Sequence, residues 1–315
     1  MKNHLLSATL IAGLTLSAQA GAPTAQPATV VSPFADAISP ISNPTLAGLA
    51  LPRTNIHAMW MNQQVSENIS ILDGSSSVPI GGDLNIIAVQ LEYAFNNRLS
   101  LIATKDGYID FNPDQTLAKE SGFANLAAGL KYAFIYDEAD QFVLSGSAVI
   151  ELPTGNRDVF QGHGDGAVNL IASSLKLHQG WQFSGAAGVQ IPLNSNQQST
   201  TGFASAHASY KLTERFTPLV EVNWFRVLSE GNGKGHPTGS NSATAAGAAS
   251  FEGGDLINLG SANASTNKDI VTAAAGARYK VCDSLSLGAA YEIPLTSEEG
   301  NLMKSRITLD AVWTF

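Results

Sequence analysis

Apolar and polar residues alternate along much of the chain, and this pattern predicts β-strands. In residues 306–315 every odd position is apolar and four of the five even positions are polar. Because successive side chains of a strand point to opposite faces, such a segment has one apolar face and one polar face. Similar segments recur from residue 53 onward, and twelve strands are predicted: 54–63, 84–95, 99–105, 123–136, 141–152, 167–178, 181–191, 203–212, 216–228, 270–281, 284–295 and 306–315.

The connections between these segments alternate between short and long. The short ones are 96–98, 137–140, 179–180, 213–215 and 282–283. The longer ones are 64–83, 106–122, 153–166, 192–202, 229–269 and 296–302. Outer-membrane barrels have short periplasmic turns and long outer loops, and about ten residues let a tilted strand cross a bilayer.

These patterns predict an all-β protein, a transmembrane antiparallel up-and-down β-barrel of about 12 strands with both termini in the periplasm. The first strand is the weakest, and the long connection 229–269 has room for two more, so ten or fourteen strands stay open. In residues 167–178 the polar positions change parity midway, which predicts a β-bulge.

Two aromatic residues, Trp313 and Phe315, close the apolar face of the final strand. Aromatic side chains favour the membrane–water interface, where barrels carry girdles of them. The ending also resembles the carboxy-terminal assembly signal of bacterial outer-membrane proteins. Insertion by the barrel assembly machinery is therefore expected, and an ordinary edge strand of a soluble sheet is the alternative.

The first 52 residues lack the alternation. Residues 1–20 have a lysine, an apolar run and an Ala-Gln-Ala ending, which predict a secretory signal peptide. Residues 21–52 are rich in Pro and Ala and are expected to form an irregular, loosely ordered periplasmic arm, with entry into the barrel mouth as the alternative. The barrel is expected to span residues 53–315 and to lie in the outer membrane of a Gram-negative cell.

Composition narrows the class of partner. Charged residues make up 14% of the chain, and the formal net charge is -9 at pH 7. Nucleic-acid binding needs a basic face, so it is not expected. Outer-membrane lipids and a small-molecule solute are the expected partners. Cys282 is the only cysteine, which rules out an intrachain disulfide.

Inward-facing polar residues decide what a barrel lumen can pass. Both signs of charge occur among them, so they can pair across the lumen and brace it, or form a weak binding track for a solute. The lumen-lining candidates are Gln90, Glu92, Lys131, Glu151, His207, Glu221, Asn223, Arg278, Lys280, Glu292, Arg306 and Asp310.

Chemical motifs are weak. Residues 231–235 are glycine-rich but lack the spacing of a phosphate-binding loop, and residues 162–166 offer one His and one Asp, too few for a metal site. Ser, His and acidic residues form no recognisable cluster in the sequence. No metal, cofactor or catalytic residue is therefore expected.

Short repeated motifs carry a resemblance to a known family. Glu151-Leu152-Pro153-Thr154-Gly155 has echoes at 190–192 and 292–294, and Tyr-containing segments precede several tight turns. Over residues 84–315 the chain resembles the MetA-pathway of phenol degradation family of outer-membrane proteins, and more distantly the long-chain fatty-acid channels. The resemblance implies a channel for small, hydrophobic or aromatic molecules.

The function expected from these observations is passive or facilitated uptake of small molecules, without enzymatic activity. An outer-membrane enzyme and a structural or adhesive surface barrel remain alternatives. Residues 229–269 are expected to fold over or into the outer mouth and narrow the pore, or else to form a surface loop.

Overall fold

The computed structural model describes residues 32–71, 76–162, 164–195, 198–231, 269–298 and 302–315, and these form an all-β structure of sixteen strands. The strands are β1 (Asn55–Val65), β2 (Asn68–Ile71), β3 (Ser76–Pro79), β4 (Asp83–Ala94), β5 (Leu99–Lys105), β6 (Tyr108–Asn112), β7 (Glu120–Phe123), β8 (Leu126–Asp137), β9 (Phe142–Leu152), β10 (Ala167–His178), β11 (Trp181–Pro192), β12 (Thr200–Tyr210), β13 (Phe216–Ser229), β14 (Asp269–Cys282), β15 (Leu285–Pro294) and β16 (Met303–Thr314). A short 3-10 helix, Arg157–Val159, follows β9.

The sheet closes on itself as a barrel whose wall has twelve antiparallel positions. β1 pairs with β16 on one side and with β4 on the other, which closes the ring. β5 and β6 both pair with β4 and occupy one wall position, and β7 and β8 share the next. β2 and β3 form a separate hairpin between β1 and β4. The prediction of twelve strands is confirmed, and ten and fourteen are excluded.

The break between β5 and β6 lies at Gly107, inside the segment 106–122 that alternation alone assigns to a loop. Gly107 has φ +124, a conformation that glycine adopts readily, and a Cβ there would lie 2.7 Å from the Ile87 carbonyl oxygen. A glycine is therefore needed for the wall strand to bend and continue.

The bulge predicted for residues 167–178 is wrong. β10 keeps an unbroken register with β9 and with β11. Its inward positions hold both polar and apolar side chains, including Asn169, Ile171, Ser173 and Leu175. The polar pattern changes parity because Ile171 and Leu175 pack against a segment inside the lumen, as described below.

The outer surface is apolar, as a membrane-facing surface requires. The end of the barrel that carries the tight turns (the turn end) has exposed aromatic pairs: Tyr132 with Phe134, Trp181 with Tyr210, and Trp313 with Phe315. Tyr132 and Tyr210 belong to the Tyr-containing segments that precede tight turns, and aromatic side chains at the end of a barrel wall are typical of an interfacial girdle. The opposite end is called the loop end.

No helix in the described parts of the chain is long and apolar enough to cross a membrane.

Residues 32–53, which we call the plug, lie inside the barrel. They contain no strand, and residues 40–47 are all buried. Residues 32–52 therefore do not form the loosely ordered periplasmic arm that was predicted for residues 21–52. The plug is irregular because its backbone bonds to lumen side chains instead of to a neighbouring strand. Residues 1–31, including the predicted signal peptide, lie outside the described residues.

A second filled region, the loop-end cluster, lies against the inner faces of β1, β4 and β6. The hairpin β2–β3, the segment after β9 and Leu302 fold inward over these strands. The buried members are Met59, Met61, Val65, Ile69, Ile80, Leu84, Ile86, Ala88, Ile109, Phe111, Ala124, Val159, Phe160 and Leu302.

Candidate functional site: the lumen and its plug

The plug enters and leaves the barrel at the turn end. Near its start, Phe34 packs on Tyr136 beside the turn after β8, with ring centroids 5.3 Å apart. A turn closed by the bond from Ala47 N to Asn43 O, 2.9 Å, marks its farthest reach. The chain then returns to the turn end, where β1 begins at Asn55. The plug is thus a re-entrant loop whose two legs lie side by side.

Glu221 on β13 holds the middle of the first leg. Its Oε1 accepts from Ile41 N at 2.9 Å, and its Oε2 accepts from Ser42 N at 2.7 Å. His207, directly opposite on β12, places Nδ1 2.8 Å from Oε1 of the same carboxylate. A buried carboxylate is stable when hydrogen bonds replace the lost water, and here the plug backbone supplies two of them.

Next to this contact, Arg306 on β16 holds the carbonyl of Ser42. Its Nη2 donates to Ser42 O at 2.7 Å and to Glu292 Oε2 at 2.7 Å. Asn223 Nδ2 donates to Ser42 Oγ at 2.9 Å and to Glu292 Oε1 at 3.1 Å. The amide, carbonyl and hydroxyl of Ser42 are therefore all bound by wall side chains.

At the turn end, Arg278 on β14 plays a similar part. Its Nη2 donates to Ser39 O at 3.0 Å, and the same guanidinium forms a two-pronged ion pair with Asp310 at 3.0 and 2.8 Å. His57 on β1 lies 2.7 Å from the second oxygen of Asp310. Asp310 therefore bridges two strands that flank the plug.

The opposite wall holds the plug through longer side chains. Lys131 Nζ donates to Leu49 O at 2.7 Å and pairs with Glu92 at 2.9 Å. Gln90 Nε2 donates to Pro44 O at 3.1 Å. Lys131 thus binds the returning leg of the plug and Gln90 binds its apex, so both sides of the barrel wall bind the plug.

Gln182 on β11 fixes the first leg near the turn end. Its side-chain oxygen accepts from Ile38 N at 2.9 Å, and its amide nitrogen donates to Ile38 O at 2.8 Å. A side-chain amide thus imitates a strand partner for one plug residue. Most of these bonds reach backbone atoms of the plug, so they constrain its path more than its side-chain identities.

Apolar side chains anchor the plug between these polar contacts. Leu46 and Ala47 pack in a cluster with Phe203, Phe225 and Ile171 on the wall. Leu49 and Leu51 pack with Leu175 nearer the turn end. Inward apolar residues in a membrane barrel need a partner other than lipid, and the plug provides it.

Ten of the twelve sequence-predicted lumen residues lie at these plug contacts or bond directly to a residue that does; Lys280 and Glu151 are the exceptions. Eleven of the twelve candidates lie in the interior networks. Lys280 instead lies at the turn-end rim, paired with Asp283 at 2.9 Å. Glu151 pairs with Lys105 at 2.6 Å and with Asn125 at 2.7 Å in a network separate from the plug.

The sequence analysis missed several contact residues. His57 lies in the weak first strand, where alternation with Met59 and Met61 could have shown that it faces inward. Gln182 lies on β11 and has the same parity as the inward-facing Gln190, so alternation could have shown that it faces inward. Arg53 carried no signal, because it belongs to the plug, which has no sequence period.

One lumen group resembles a catalytic triad in connectivity. His207 Nδ1 contacts Glu221, and its Nε2 lies 3.0 Å from Ser209 Oγ. Ser209 is only 2% exposed, and the strand pairing of β12 with β11 and β13 engages the backbone around it. A nucleophile needs access to substrate and free donors for the oxyanion, and this position offers neither.

Within the described residues, no group of three His, Cys, Asp or Glu side chains is placed to hold a metal ion. His163 and residues 232–268, which include most of the predicted pore-narrowing loop, lie outside the described residues. The role of that loop stays a prediction.

Cavities lie between the plug and the wall in the described part of the lumen. One of about 70 Å³ is bounded by the wall strands β1, β4, β5, β8, β9 and β10, and Gly48 at the plug apex borders it. A second cavity of about 70 Å³ lies at the turn end between the plug and strands β13 to β16. Residues 40–47 are buried, and wall side chains on both sides of the barrel bind the plug, so it obstructs the described lumen.

Comparison with solved structures gives the same architecture. An outer membrane channel from Pseudomonas putida F1 is 14% identical, with a TM-score of 0.58, and the match covers 88% of this chain and 100% of that chain. The NanC porin is 7% identical with a TM-score of 0.48, covering 83% and 100% of the two chains. The β-domain of the Bordetella autotransporter BrkA is 10% identical with a TM-score of 0.48, covering 84% and 100%. At 14% identity, the likeness to the Pseudomonas putida channel shows the fold.

No curated protein matches the chain. The family described as "Putative MetA-pathway of phenol degradation" matches residues 93–270, more than half of the sequence. The chain therefore belongs to that family, as the motif resemblance predicts.

Proposed function

We propose that this member of the MetA-pathway of phenol degradation family is a passive outer-membrane channel for small molecules, gated by its plug. The observation that carries the proposal is the way in which wall side chains bind the backbone of residues 38–49. Both legs of the plug leave at the turn end, which the short turns assign to the periplasm. The plug can therefore withdraw to that side without unthreading from the barrel.

The energetics of the contacts support a reversible gate. A hydrogen bond inside a protein contributes about 0.5–1.5 kcal/mol net, because water replaces it when it breaks. The polar lumen side chains that bind Ser42 can be hydrated once the plug leaves. Opening therefore replaces their hydrogen bonds to the plug with hydrogen bonds to water, and no charged side chain is left without a partner. The apolar anchors around Leu46 and Leu49 favour the closed state.

We further propose that the solutes are small and hydrophobic or aromatic. This proposal rests on the family to which the chain belongs, whose description names the degradation of phenol, a small aromatic molecule. Liposome swelling with matched aromatic and sugar solutes of similar size would test this selectivity.

A cross-link between plug and wall tests the gate directly. Asn43 Nδ2 lies 3.1 Å from Ser205 Oγ, so cysteines at both positions, with Cys282→Ser, can be joined by a short bis-methanethiosulfonate. The reagent forms a disulfide with each cysteine and releases sulfinate, and a reductant cleaves the link. The joined protein should show little single-channel conductance in planar bilayers, and cleaving the link should restore it. The single variant Cys282→Ser is the control.

The cross-link holds the plug in the closed state, and weakening its contact with Glu221 should favour the open state. Glu221→Gln leaves one acceptor oxygen where two amides and a histidine now bind, so the open state should be populated more often. Glu151→Gln is the matched control, because Glu151 is also buried but bonds only to wall residues in the described structure. Equal conductance of the two variants, or full conductance of the cross-linked protein, would contradict a plug gate.

A further inference from the structure

Three arginines line the turn-end cavity, Arg53, Arg215 and Arg278, and the side chains of Arg53 and Arg278 are incompletely bonded. Arg53 belongs to the plug and Arg278 to β14, and both line the cavity of about 70 Å³. The Nε atoms of both are enclosed and have no hydrogen-bond partner in the described structure. Buried donors of this kind are rare in native proteins, and two of them at one cavity point to a missing acceptor.

The carboxylates that line the cavity are paired with lysines at its rim, whereas Arg53 and Arg278 lie deeper. The three carboxylates that line it are taken by rim lysines: Lys211 pairs with Asp36 at 3.0 Å and with Glu214 at 2.8 Å, and Lys280 pairs with Asp283 at 2.9 Å. The side chains of Glu214 and Asp283 are almost fully exposed at the mouth. The deep part of the cavity therefore carries positive charge without a lining carboxylate.

Arg53 is the less compensated of the two arginines. Arg278 has Asp310 as a two-pronged partner, whereas Arg53 has no carboxylate within ion-pair distance among the described residues. Burial lowers the pKa of the Arg53 guanidinium, Glu92 opposes this effect, and the nearby positive charge of Arg278 adds to it. Glu92 itself is bonded to Lys131. An anion between the arginines would relieve their repulsion.

The other residues that line the cavity indicate what the rest of the ligand, beyond its anionic group, is like. Ala35, Ala37, Ile38, Leu285 and Val312 give the cavity an apolar side, next to small hydroxyl side chains. An inorganic ion would leave this side unused, whereas a short organic acid would cover it. Guanidinium groups match the geometry of a carboxylate through paired N–H donors.

We propose that the turn end of the lumen contains a binding site for a small carboxylate with a short apolar body, and that Arg53 and Arg278 bind its carboxylate. The site combines one residue of the plug with one of the wall, so a bound acid would bridge the two. It is a binding property of the folded chain and does not depend on whether the plug moves.

Binding of butyrate and of its neutral isostere butyramide to the folded full-length protein in detergent tests the site, measured by saturation-transfer NMR. Butyrate should bind saturably and at least tenfold more tightly than butyramide, because only the carboxylate accepts charge-assisted bonds. Arg53→Gln should weaken butyrate binding by about tenfold. Lys304→Gln, which removes one positive charge at the loop end, should leave it within about twofold.

Arg53→Lys separates charge from geometry and should retain part of the affinity. Heat-modifiability on gels shows whether each variant is folded. Absence of saturable butyrate binding would overturn the proposal, as would equal binding of butyramide. An equal loss of butyrate affinity in Arg53→Gln and Lys304→Gln would also overturn the proposal, because it would show that the net charge of the protein, and not a specific site, attracts butyrate. Inorganic phosphate binding as tightly as butyrate would overturn the assignment to an organic acid.

Discussion

The loop-end cluster and the plug both fill the barrel, but they are held by different forces. Phe111 and Phe160 meet edge to face at 5.5 Å within a wholly apolar group. The plug is bound mainly through its backbone, by Glu221, Arg306 and Gln182 among others. Apolar burial is non-directional and is lost as a whole when exposed to water, whereas water can substitute for hydrogen bonds one by one.

This difference assigns different roles to the two regions. The loop-end cluster resembles the core of a soluble domain and joins the loops to three wall strands. Removing it would expose apolar surface on both loops and wall. The plug contacts more of the barrel, but polar lumen side chains remain beneath it. The first region therefore belongs to the stable body of the protein, and the second is suited to movement.

Matched truncations of phenylalanine should separate the two regions, and this is the largest effect expected. Phe111→Ala in the loop-end cluster should lower the free energy of unfolding by about 3–5 kcal/mol. Phe203→Ala, beneath the plug, should cost roughly half as much, because the plug can shift into the space. Urea unfolding in lipid vesicles, followed by tryptophan fluorescence, measures both. An equal loss in the two variants would show that the plug packs as rigidly as the cluster.

A pair of glycine substitutions should then sharpen the account of the plug. At Gly288 on β15 an added Cβ would collide with Asp310 and lie 2.8 Å from Ile41 Cδ1, whereas at Gly48 it would meet nothing within 4 Å. Gly288→Ala should cost about 1–3 kcal/mol and displace the plug from its wall contacts. Gly48→Ala should change stability by less than about 0.5 kcal/mol.

The readout for this pair is single-channel conductance together with urea unfolding. Displacement of Ile41 should raise the open probability of Gly288→Ala, while Gly48→Ala should behave as the unmodified protein. If Gly288→Ala left the open probability unchanged, the wall would have relaxed at β15 without moving the plug. That outcome would weaken the argument that wall and plug fit closely at Ser39 and Ser42.

The sequence predicts the wall better than its contents for a physical reason. Alternation is a local signal, so β10 and the strands near it are predicted with their observed bounds or close to them. The plug is held by partners far away in the chain: Ile41 and Glu221 are separated by 180 residues. No periodicity marks such a contact. The signal that existed was the excess of inward apolar residues, such as Ile171 and Leu175, which lipid cannot cover.

Two segments that form strands where the sequence analysis predicts loops have a similar origin. The hairpin β2–β3 and the strand β6 lie in segments 64–83 and 106–122, which alternation assigns to loops. Each is only four or five residues long, too short to establish a period. Assembly through Trp313 and Phe315 stays a prediction, since their exposed stacking at the turn end fits an interfacial girdle equally well.

Apart from the control Gly48→Ala, the smallest expected effect concerns Ser209, and it tests whether the polar contacts beneath the plug are structural or catalytic. In the plug account, His207 needs Glu221 as a partner, and Ser209 only completes the bonding of Nε2. Ser209→Ala should therefore cost about 1 kcal/mol and leave conductance nearly unchanged. Ester hydrolysis by the purified protein that disappears in Ser209→Ala, with Ser173→Ala as the control for a buried lumen serine, would reverse this assignment. The enclosed position of Ser209 argues for the structural outcome, because a substrate could reach it only after the plug had left.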